Sequence, residues 1–210
     1  MSFFNVLKVL SYIPLRIVFP TKIIGKEKYF KEKAVVCVNH YSSYDVLVLA
    51  SRLLWGKCRC VGKEELFTSK FSAWFLTKCG AISIKRGESD MAAYKKIVSV
   101  LKEDHQLIIF PEGTRNLAGT PEMLPFQVGA ASFAMKGNAP IIPIVYHKPL
   151  KPFRKNYMMI GDTISLDDFK DLPSHEAREK ATEYLYKQMS ELKSELADIV
   201  ESKKGKKNNK

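Results

Sequence analysis

The chain has 210 residues, of which 46% are hydrophobic, and 34 basic against 22 acidic residues give a formal net charge of +12. This length and apolar content are enough for one sizeable core, so we predict a globular single domain with terminal additions. The charge favours partners that carry phosphate, whereas the sequence shows neither a nucleic-acid-binding pattern nor the cysteine and histidine spacing of a metal site or disulfide framework, so we expect no nucleic acid and no metal.

The N-terminal segment, residues 1–20, is mostly apolar but is interrupted by Lys8, Pro14 and Arg16. A transmembrane helix needs about 20 consecutive apolar residues, and the small-residue cleavage site of a secretory signal is missing. We therefore predict an interfacial amphipathic helix, peripheral or monotopic, at the cytoplasmic face of the cell membrane. A helix packed on the protein's own core has similar composition and is the alternative. Residues 21–33 are predicted to form a basic connector.

The next segment places one histidine and one aspartate on either side of a chain reversal. The valine-rich run Ala34–Val38 is typical of a buried strand, and Tyr44–Leu54 is typical of a buried helix. On one continuous helix His40 and Asp45 would lie about 140° apart, but the polar break between strand and helix lets the imidazole fold back onto the carboxylate. Asp45 would then orient His40 as a general base. A structural capping or core hydrogen-bond pair is the other interpretation of these two residues.

Basic side chains follow two of the next predicted elements. Gly56–Leu66 is predicted to form a short strand and a charged turn, in which Lys63 could face the same site. Phe67–Lys78 is predicted to be an amphipathic helix. Ala81–Ile84 alternates like a strand and brings Arg86 to its carboxyl end, where ligands of α/β sheets collect. We therefore expect these basic groups to bind phosphate.

A helix at Asp90–Glu103 and a strand at Gln106–Phe110 are predicted before an abrupt turn at Pro111–Arg115. The proline ends the strand, and Gly113 permits a positive φ. The turn presents a carboxylate, a hydroxyl and a guanidinium together. This group suits a phosphate monoester, with bidentate contacts from Arg115, although an ordinary tight turn has the same composition.

The remaining core elements are predicted to be one helix and two strands: Gln127–Lys136, Ile141–Tyr146 and Tyr157–Gly161. Helices alternate with strands, so we predict an α/β fold, a single-domain αβ sandwich with a largely mixed central sheet flanked by helices. The core spans residues 21–172, followed by an amphipathic helix at 173–200 and a basic, disordered tail at 201–210. The tail could contact an anionic membrane surface or be merely solvated.

Four stretches in this order resemble the motif blocks of the glycerolipid acyltransferases, specifically the bacterial 1-acylglycerol-3-phosphate acyltransferases. They are Asn39-His40-x-x-x-x-Asp45, Gly80-x-Ile82-x-Ile84-x-Arg86, Phe110-Pro111-Glu112-Gly113-Thr114-Arg115 and Ala139-Pro140-Ile141-Ile142-Pro143-Ile144. The resemblance covers roughly Ala34 to Val145. Four ordered matches make coincidence far less probable than any single motif would.

The resemblance implies transfer of a fatty acyl group from acyl-ACP or acyl-CoA to the 2-hydroxyl of lysophosphatidic acid, which forms phosphatidic acid in phospholipid biosynthesis. It implies no cofactor and no covalent acyl-enzyme, in agreement with the absence of a Gly-x-Ser-x-Gly elbow. His40 would be the general base, and Asp45 would orient it. The residues it assigns to the glycerol phosphate are Lys63, Arg86, Glu112, Gly113, Thr114 and Arg115. It assigns the wall of the acyl or acceptor pocket to Pro140 and Ile141.

Two departures from the family pattern leave the acceptor open. Gln127 stands where the family often has a lysine, and Lys85 stands where an acidic residue is common. Another acceptor, such as glycerol 3-phosphate or another lysophospholipid, is therefore an alternative. A non-catalytic, phospholipid-binding domain at a membrane surface is a further one, and in it His40 and Asp45 would form a structural cap.

Overall fold

The computed structural model describes residues 13–53, 58–84 and 91–208. The strands are β1 Thr21–Ile24, β2 Ala34–Val38, β3 Cys58–Lys63, β4 Ala81–Ile84, β5 Gln106–Ile109, β6 Ile141–Tyr146 and β7 Asn156–Ile160. The main α-helices are α1 Tyr44–Arg52, α2 Lys70–Lys78, α3 Met91–Lys102, α4 Gly129–Gly137 and α5 Ser174–Asn208.

The strands form one seven-stranded sheet in the order β1-β7-β6-β2-β5-β3-β4, with β2 at its centre. Strands β6, β2, β5, β3 and β4 are parallel to one another, whereas β7 is antiparallel to β6 and β1 is parallel to β7. The predicted α/β sandwich with a mixed sheet is therefore confirmed. Because the five parallel strands end at one edge, the segments that follow them meet there.

The central strand β2 is buried on both faces of the sheet. Val36 and Val38 pack on the face that α1 covers, whereas Val35 and Cys37 pack on the face that α3, α4 and α5 cover. A strand buried on both faces needs a continuous apolar run rather than an alternating one. Burial of each valine side chain contributes roughly 1.5–3 kcal/mol, so the strand that leads into the site is firmly held.

The N-terminal helix predicted for residues 1–20 is described only in part. Residues 1–12 lie outside the described residues, and residues 13–18 are helical. Leu15 packs against the core, whereas Ile17 is 63% exposed. Within the described parts of the chain, no helix is both long and apolar enough to cross a membrane.

The predicted connector at residues 21–33 is wrong in its first part, because Thr21–Ile24 forms β1. Among the residues that the structure describes, this strand pairs with β7 alone, at the margin of the sheet, and its side chains are half-buried or exposed. Its pairing partner comes more than a hundred residues later. A strand stabilised by so distant a partner leaves little local signal in the sequence.

The C-terminal helix α5 continues to Asn208, whereas the prediction ended the helix at residue 200 and made residues 201–210 disordered. The predicted disorder is therefore wrong for residues 201–208. The segment contains glutamate and lysines and no proline. Glutamate and lysine have good helix propensity, so the helix can extend beyond its last core contact at Val200.

Candidate active site

The reversal between β2 and α1 brings His40 onto Asp45. His40 lies just past the end of β2, and Asp45 lies in the first turn of α1. Their side chains meet through His40 Nδ1 and Asp45 Oδ2 at 2.9 Å. The carboxylate is fully buried, whereas the imidazole is 18% exposed. A substrate can therefore reach the histidine but not its partner.

The carboxylate of Asp45 accepts four hydrogen bonds, including the one from His40. Its Oδ2 also accepts from the backbone N–H groups of Tyr41 at 2.6 Å and Ser42 at 2.7 Å, and its Oδ1 accepts from the Ser42 hydroxyl at 2.8 Å. The positive end of the α1 dipole adds to this stabilisation. A carboxylate accepts only, so we assign Nδ1 of His40 as the donor and Nε2 as the nitrogen with the lone pair.

The ring of His40 is also held from one face. It stacks on Phe110, with ring centroids 4.0 Å apart and an interplanar angle of 25°. Nε2 makes no hydrogen bond with any residue in 13–53, 58–84 or 91–208. The ring is thus fixed in orientation and keeps a nitrogen that can accept a proton from a substrate.

The segment that follows β5 makes hydrogen bonds to both backbone groups of His40, its N–H and its carbonyl. Oε1 of Glu112 accepts from the N–H of His40 at 2.7 Å, and Oε2 accepts from the N–H of Leu124 at 2.8 Å. The N–H of Asn116 donates to the carbonyl of His40 at 2.8 Å. Burial raises the pKa of Glu112, opposed by the two N–H groups and by the charge of Lys193.

This arrangement corrects the role expected for Glu112. Its side chain is only 3% exposed, and each carboxylate oxygen accepts a backbone N–H. A buried, occupied carboxylate would also repel a phosphate. We therefore assign Glu112 to positioning of the histidine rather than to the glycerol phosphate.

The other residues of this turn lie at its outer surface. Gly113 adopts φ 69°, which glycine tolerates without strain, and its N–H donates to the carbonyl of Phe110 at 2.9 Å. Thr114 and Arg115 are exposed, and Nη1 of Arg115 donates to Oγ of Ser43 at 3.1 Å. That contact holds the guanidinium beside the start of α1, close to the His40–Asp45 pair.

The two basic residues predicted on neighbouring strands have different outcomes. Lys63 is the last residue of β3 and pairs with Ile84, the last residue of β4, so it lies at the same edge of the sheet as His40. Its ammonium makes no hydrogen bond or ion pair with any residue that the structure describes. Arg86 lies outside the described residues, two positions after the end of β4.

The structure does not bring Pro140 and Ile141 to this edge, so their predicted place in the acyl or acceptor pocket stays a prediction that the position of His40 does not support. The carbonyl of Pro140 accepts from Val35, near the start of β2, and Ile141 pairs with the same Val35. Because β6 and β2 are parallel, both residues lie at the amino edge, roughly 15 Å along the strands from His40. Ile141 is fully buried in the core.

Three hydrogen bonds at the site are made by Asn39 and Tyr146, two residues for which no role was predicted. Asn39, quoted only as part of a motif, donates through Nδ2 to the carbonyl of Tyr146 at 3.1 Å and accepts from its N–H at 2.7 Å. The hydroxyl of Tyr146 donates to the carbonyl of Asp45 at 2.8 Å. All three residues are buried, so these bonds fix β2, β6 and α1 relative to one another.

Lys193 on α5 also contacts the site, although no role was predicted for it. Its side chain is buried, and Nζ donates to the hydroxyl of Tyr41 at 2.5 Å. The signal was present in the sequence, because Lys193 follows Met189 by four residues and precedes Leu196 by three, which places a charge on the apolar face of the helix.

Comparison with known proteins places the chain in a family. Residues 20–147 match the family model described as Acyltransferase. The chain is 32% identical over 184 residues to the 1-acyl-sn-glycerol-3-phosphate acyltransferase of Bacillus subtilis, a match that covers 85% of this chain and 90% of that protein. The chain belongs to the 1-acylglycerol-3-phosphate acyltransferase family.

Other members of the 1-acylglycerol-3-phosphate acyltransferase family match over less of their length. The 1-acyl-sn-glycerol-3-phosphate acyltransferase of Saccharomyces cerevisiae is 31% identical over 146 residues, which cover 68% of this chain and 46% of that protein. The crystal structure of the 1-acyl-sn-glycerophosphate acyltransferase PlsC from Thermotoga maritima matches with a TM-score of 0.63 and 22% identity, over 90% of this chain and 78% of that one. This last match confirms the fold.

Proposed function

We propose that this chain transfers a fatty acyl group from an acyl thioester to the 2-hydroxyl of 1-acylglycerol 3-phosphate and so forms phosphatidic acid. The observation that carries the proposal is the 2.9 Å contact between His40 Nδ1 and Asp45 Oδ2 beside the turn that bears Arg115. The names of the relatives, which are 1-acyl-sn-glycerol-3-phosphate acyltransferases, support the same substrate class.

In the proposed reaction His40 is the general base. Nε2 takes the proton of the 2-hydroxyl while that oxygen attacks the thioester carbonyl, and Asp45 stabilises the imidazolium that forms. The tetrahedral intermediate then collapses, the carbon–sulfur bond breaks, and the thiolate takes the proton from His40. A positioned base supplies about 10² to 10⁴ in rate. Alignment of the two bound substrates supplies much of the rest.

The acceptor phosphate is proposed to bind at the outer surface of the turn. Arg115 is exposed there and can offer a bidentate pair of N–H donors. The backbone N–H groups of Thr114 and Arg115 donate to no residue within the described ranges, so they are available to an anion. Lys63 and Arg86, at or beyond the ends of β3 and β4, are proposed to add positive charge from the side.

We also propose that the enzyme works at the cytoplasmic face of the cell membrane as a peripheral or monotopic protein, because its acceptor and product are lipids. Ile13 and Ile17, on the helical segment at 13–18, are 66% and 63% exposed, and the net charge is +12. Deletion of residues 1–20 should lower binding to anionic vesicles in a flotation assay. Unchanged binding would remove the membrane role of this segment.

The proposed activity is tested by an acceptor-by-donor matrix on purified protein. The acceptors are 1-acylglycerol 3-phosphate, glycerol 3-phosphate and other lysophospholipids, and the donors are acyl-ACP and acyl-CoA. We expect the highest rate with 1-acylglycerol 3-phosphate. A higher rate with another acceptor would make the acceptor assignment wrong, and lipid binding without turnover on every pair would favour a non-catalytic domain.

A specific residue motivates the wider acceptor panel. Gln127 is exposed, and its backbone N–H donates to the carbonyl of Pro111 at 2.8 Å, so it lies beside the turn that bears Arg115. A neutral amide here, where the family often has a lysine, lowers the positive charge near the proposed phosphate site. The substitution Gln127→Lys should therefore lower KM for a phosphate-bearing acceptor.

A further inference from the structure

A positive charge lies inside the domain at a position that the proposed chemistry does not use. Lys193 is 7% exposed on the inner face of α5, among the apolar residues that bind this helix to the sheet. An uncompensated buried charge is strongly unfavourable. A lysine at this position therefore points to a role other than packing.

The ammonium of Lys193 is held by the residue that follows the proposed base. Nζ donates to the hydroxyl of Tyr41 at 2.5 Å and lies 5.0 Å from the centre of the Tyr41 ring. That hydroxyl in turn donates to the carbonyl of Thr120 at 3.4 Å. At its other end, Tyr41 donates its backbone N–H to Asp45 Oδ2 at 2.6 Å. Tyr41 thus connects α5 to the His40–Asp45 pair.

The charge of Lys193 also acts on the second segment that holds His40. Burial lowers the pKa of Lys193, and the carboxylates of Glu112 and Glu122 oppose that shift. In return, the charge of Lys193 opposes the rise that burial produces in the pKa of Glu112. Glu112 accepts the N–H of His40, so charge from α5 supports the backbone contact on that side of the histidine.

We propose that Lys193 is a positioning residue for acyl transfer, because its ammonium anchors Tyr41 and balances the negative charge of Glu112 on the two segments that hold His40. It acts through those residues and touches no substrate. This inference rests on the proposed function and adds to it a third element, the C-terminal helix α5, which controls the geometry of the base.

The first test uses kinetics of the full-length chain. Lys193→Met removes the charge and keeps an unbranched apolar side chain of similar length, and Lys187→Met changes an exposed lysine on the same helix as a matched control. We expect Lys193→Met to lower kcat about tenfold, the cost of one charge-assisted hydrogen bond, without changing KM for the acceptor. Its Tm is measured alongside, because loss of the charge that balances the buried carboxylate of Glu112 can also destabilise the fold.

A double-mutant cycle tests whether Lys193 acts on the His40–Asp45 pair through Tyr41. Tyr41→Phe removes only the hydroxyl that accepts from Lys193, and it should lower kcat, but by no more than Lys193→Met does. A wild-type kcat in Tyr41→Phe would overturn the route through Tyr41. The double variant should be no slower than Lys193→Met alone. Fully additive losses would overturn the proposed route through Tyr41. If Lys193→Met lowers Tm, Tyr41→Phe alone decides the inference through the same measurements.

The second test does not depend on activity. Hydrogen–deuterium exchange of the backbone amides in 40–45 and 112–116 should be faster in Lys193→Met than in wild type or Lys187→Met. Exchange or kcat at the wild-type level in Lys193→Met would overturn the inference. If wild type transfers no acyl group to 1-acylglycerol 3-phosphate, the proposed function fails, and exchange alone decides whether Lys193 holds these segments.

Discussion

The backbone N–H of His40 donates to Oε1 of Glu112 at 2.7 Å and so joins two motif segments that lie 72 residues apart in the chain. The contact is possible because β2 and β5 are adjacent parallel strands, whose carboxyl ends meet at one edge. Glu112 therefore places the peptide that carries the imidazole, while Asp45 places the ring itself. The two carboxylates have separate positioning roles.

Replacement of Glu112 by glutamine should slow the reaction. The amide can accept only one of the two backbone N–H groups that the carboxylate accepts, so either His40 or Leu124 loses its partner. We expect kcat to fall about ten- to a hundredfold, the equivalent of one hydrogen bond to a charged group. Glu103→Gln, at an exposed position, is the control. Equal kcat in wild type and Glu112→Gln would show that the contact has no part in catalysis.

The same variant also tests a pH dependence. Burial raises the pKa of Glu112 above its ordinary value of 4.5. Between pH 4.5 and the raised pKa, the folded state binds more protons than the unfolded state. The stability that comes from the neutral carboxyl group is therefore complete below pH 4.5 and is lost as pH rises through the folded pKa. In denaturant unfolding, the stability of wild type relative to Glu112→Gln should therefore decrease as pH rises. An increase in this relative stability with pH would contradict the predicted direction.

Asp45→Asn tests the orientation of the ring. An amide oxygen in the place of Oδ2 can still accept from His40 Nδ1 and from the N–H groups of Tyr41 and Ser42, but it is neutral and cannot balance an imidazolium charge. The amide NH2 group would also replace Oδ1, which accepts from the Ser42 hydroxyl. We expect kcat to fall about a hundredfold or more. Asp168→Asn, at an exposed position in the short 3-10 helix Asp167–Phe169, should leave kcat unchanged. Wild-type turnover by Asp45→Asn would favour the structural-cap interpretation.

Arg115→Lys tests the phosphate site. Lysine keeps the positive charge but cannot form the bidentate pair, so the acceptor should bind more weakly. We expect KM for 1-acylglycerol 3-phosphate to rise about tenfold, with a smaller change in kcat. The control is Arg154→Lys, at an exposed position on another loop. A rise in KM for the thioester donor alone would place the donor, rather than the acceptor, at Arg115.

Asn39→Ala should destabilise the fold. Its amide bonds both backbone groups of Tyr146, and both residues are buried. Loss of the amide leaves a buried donor and a buried acceptor without partners, at a cost of about 1–3 kcal/mol each. The free energy of unfolding, measured in urea, should fall accordingly. A change close to zero would mean that water replaces both contacts.

Much of the fold was predictable because the core strands have continuous apolar sequences. The bounds of β2, β4 and β6 agree with the predicted segments. β1 was missed because its pairing with β7 depends on a distant segment rather than on a local pattern. Helix α5 was predicted from its apolar face, but the face ends at Val200 and gives no information on the eight residues that follow.

The site was predictable where one short segment or one motif contains its parts. The chain reversal that joins His40 to Asp45 follows from the polar break between a strand and a helix. The direction of β6 does not follow from its own residues, so the sequence did not indicate that Pro140 lies at the amino edge of the sheet. Lys193 lies on an element outside every motif, so only its place on an apolar face pointed to it.

The role of His40 as general base is tested most directly by the rate at which His40→Ala forms phosphatidic acid from an acyl thioester and 1-acylglycerol 3-phosphate. We expect a loss of about 10² to 10⁴ relative to wild type, because His40 Nε2 is the proposed proton acceptor. His175→Ala, at an exposed position near the start of α5, should keep the wild-type rate. A His40→Ala rate equal to that of wild type would show that His40 is not the general base.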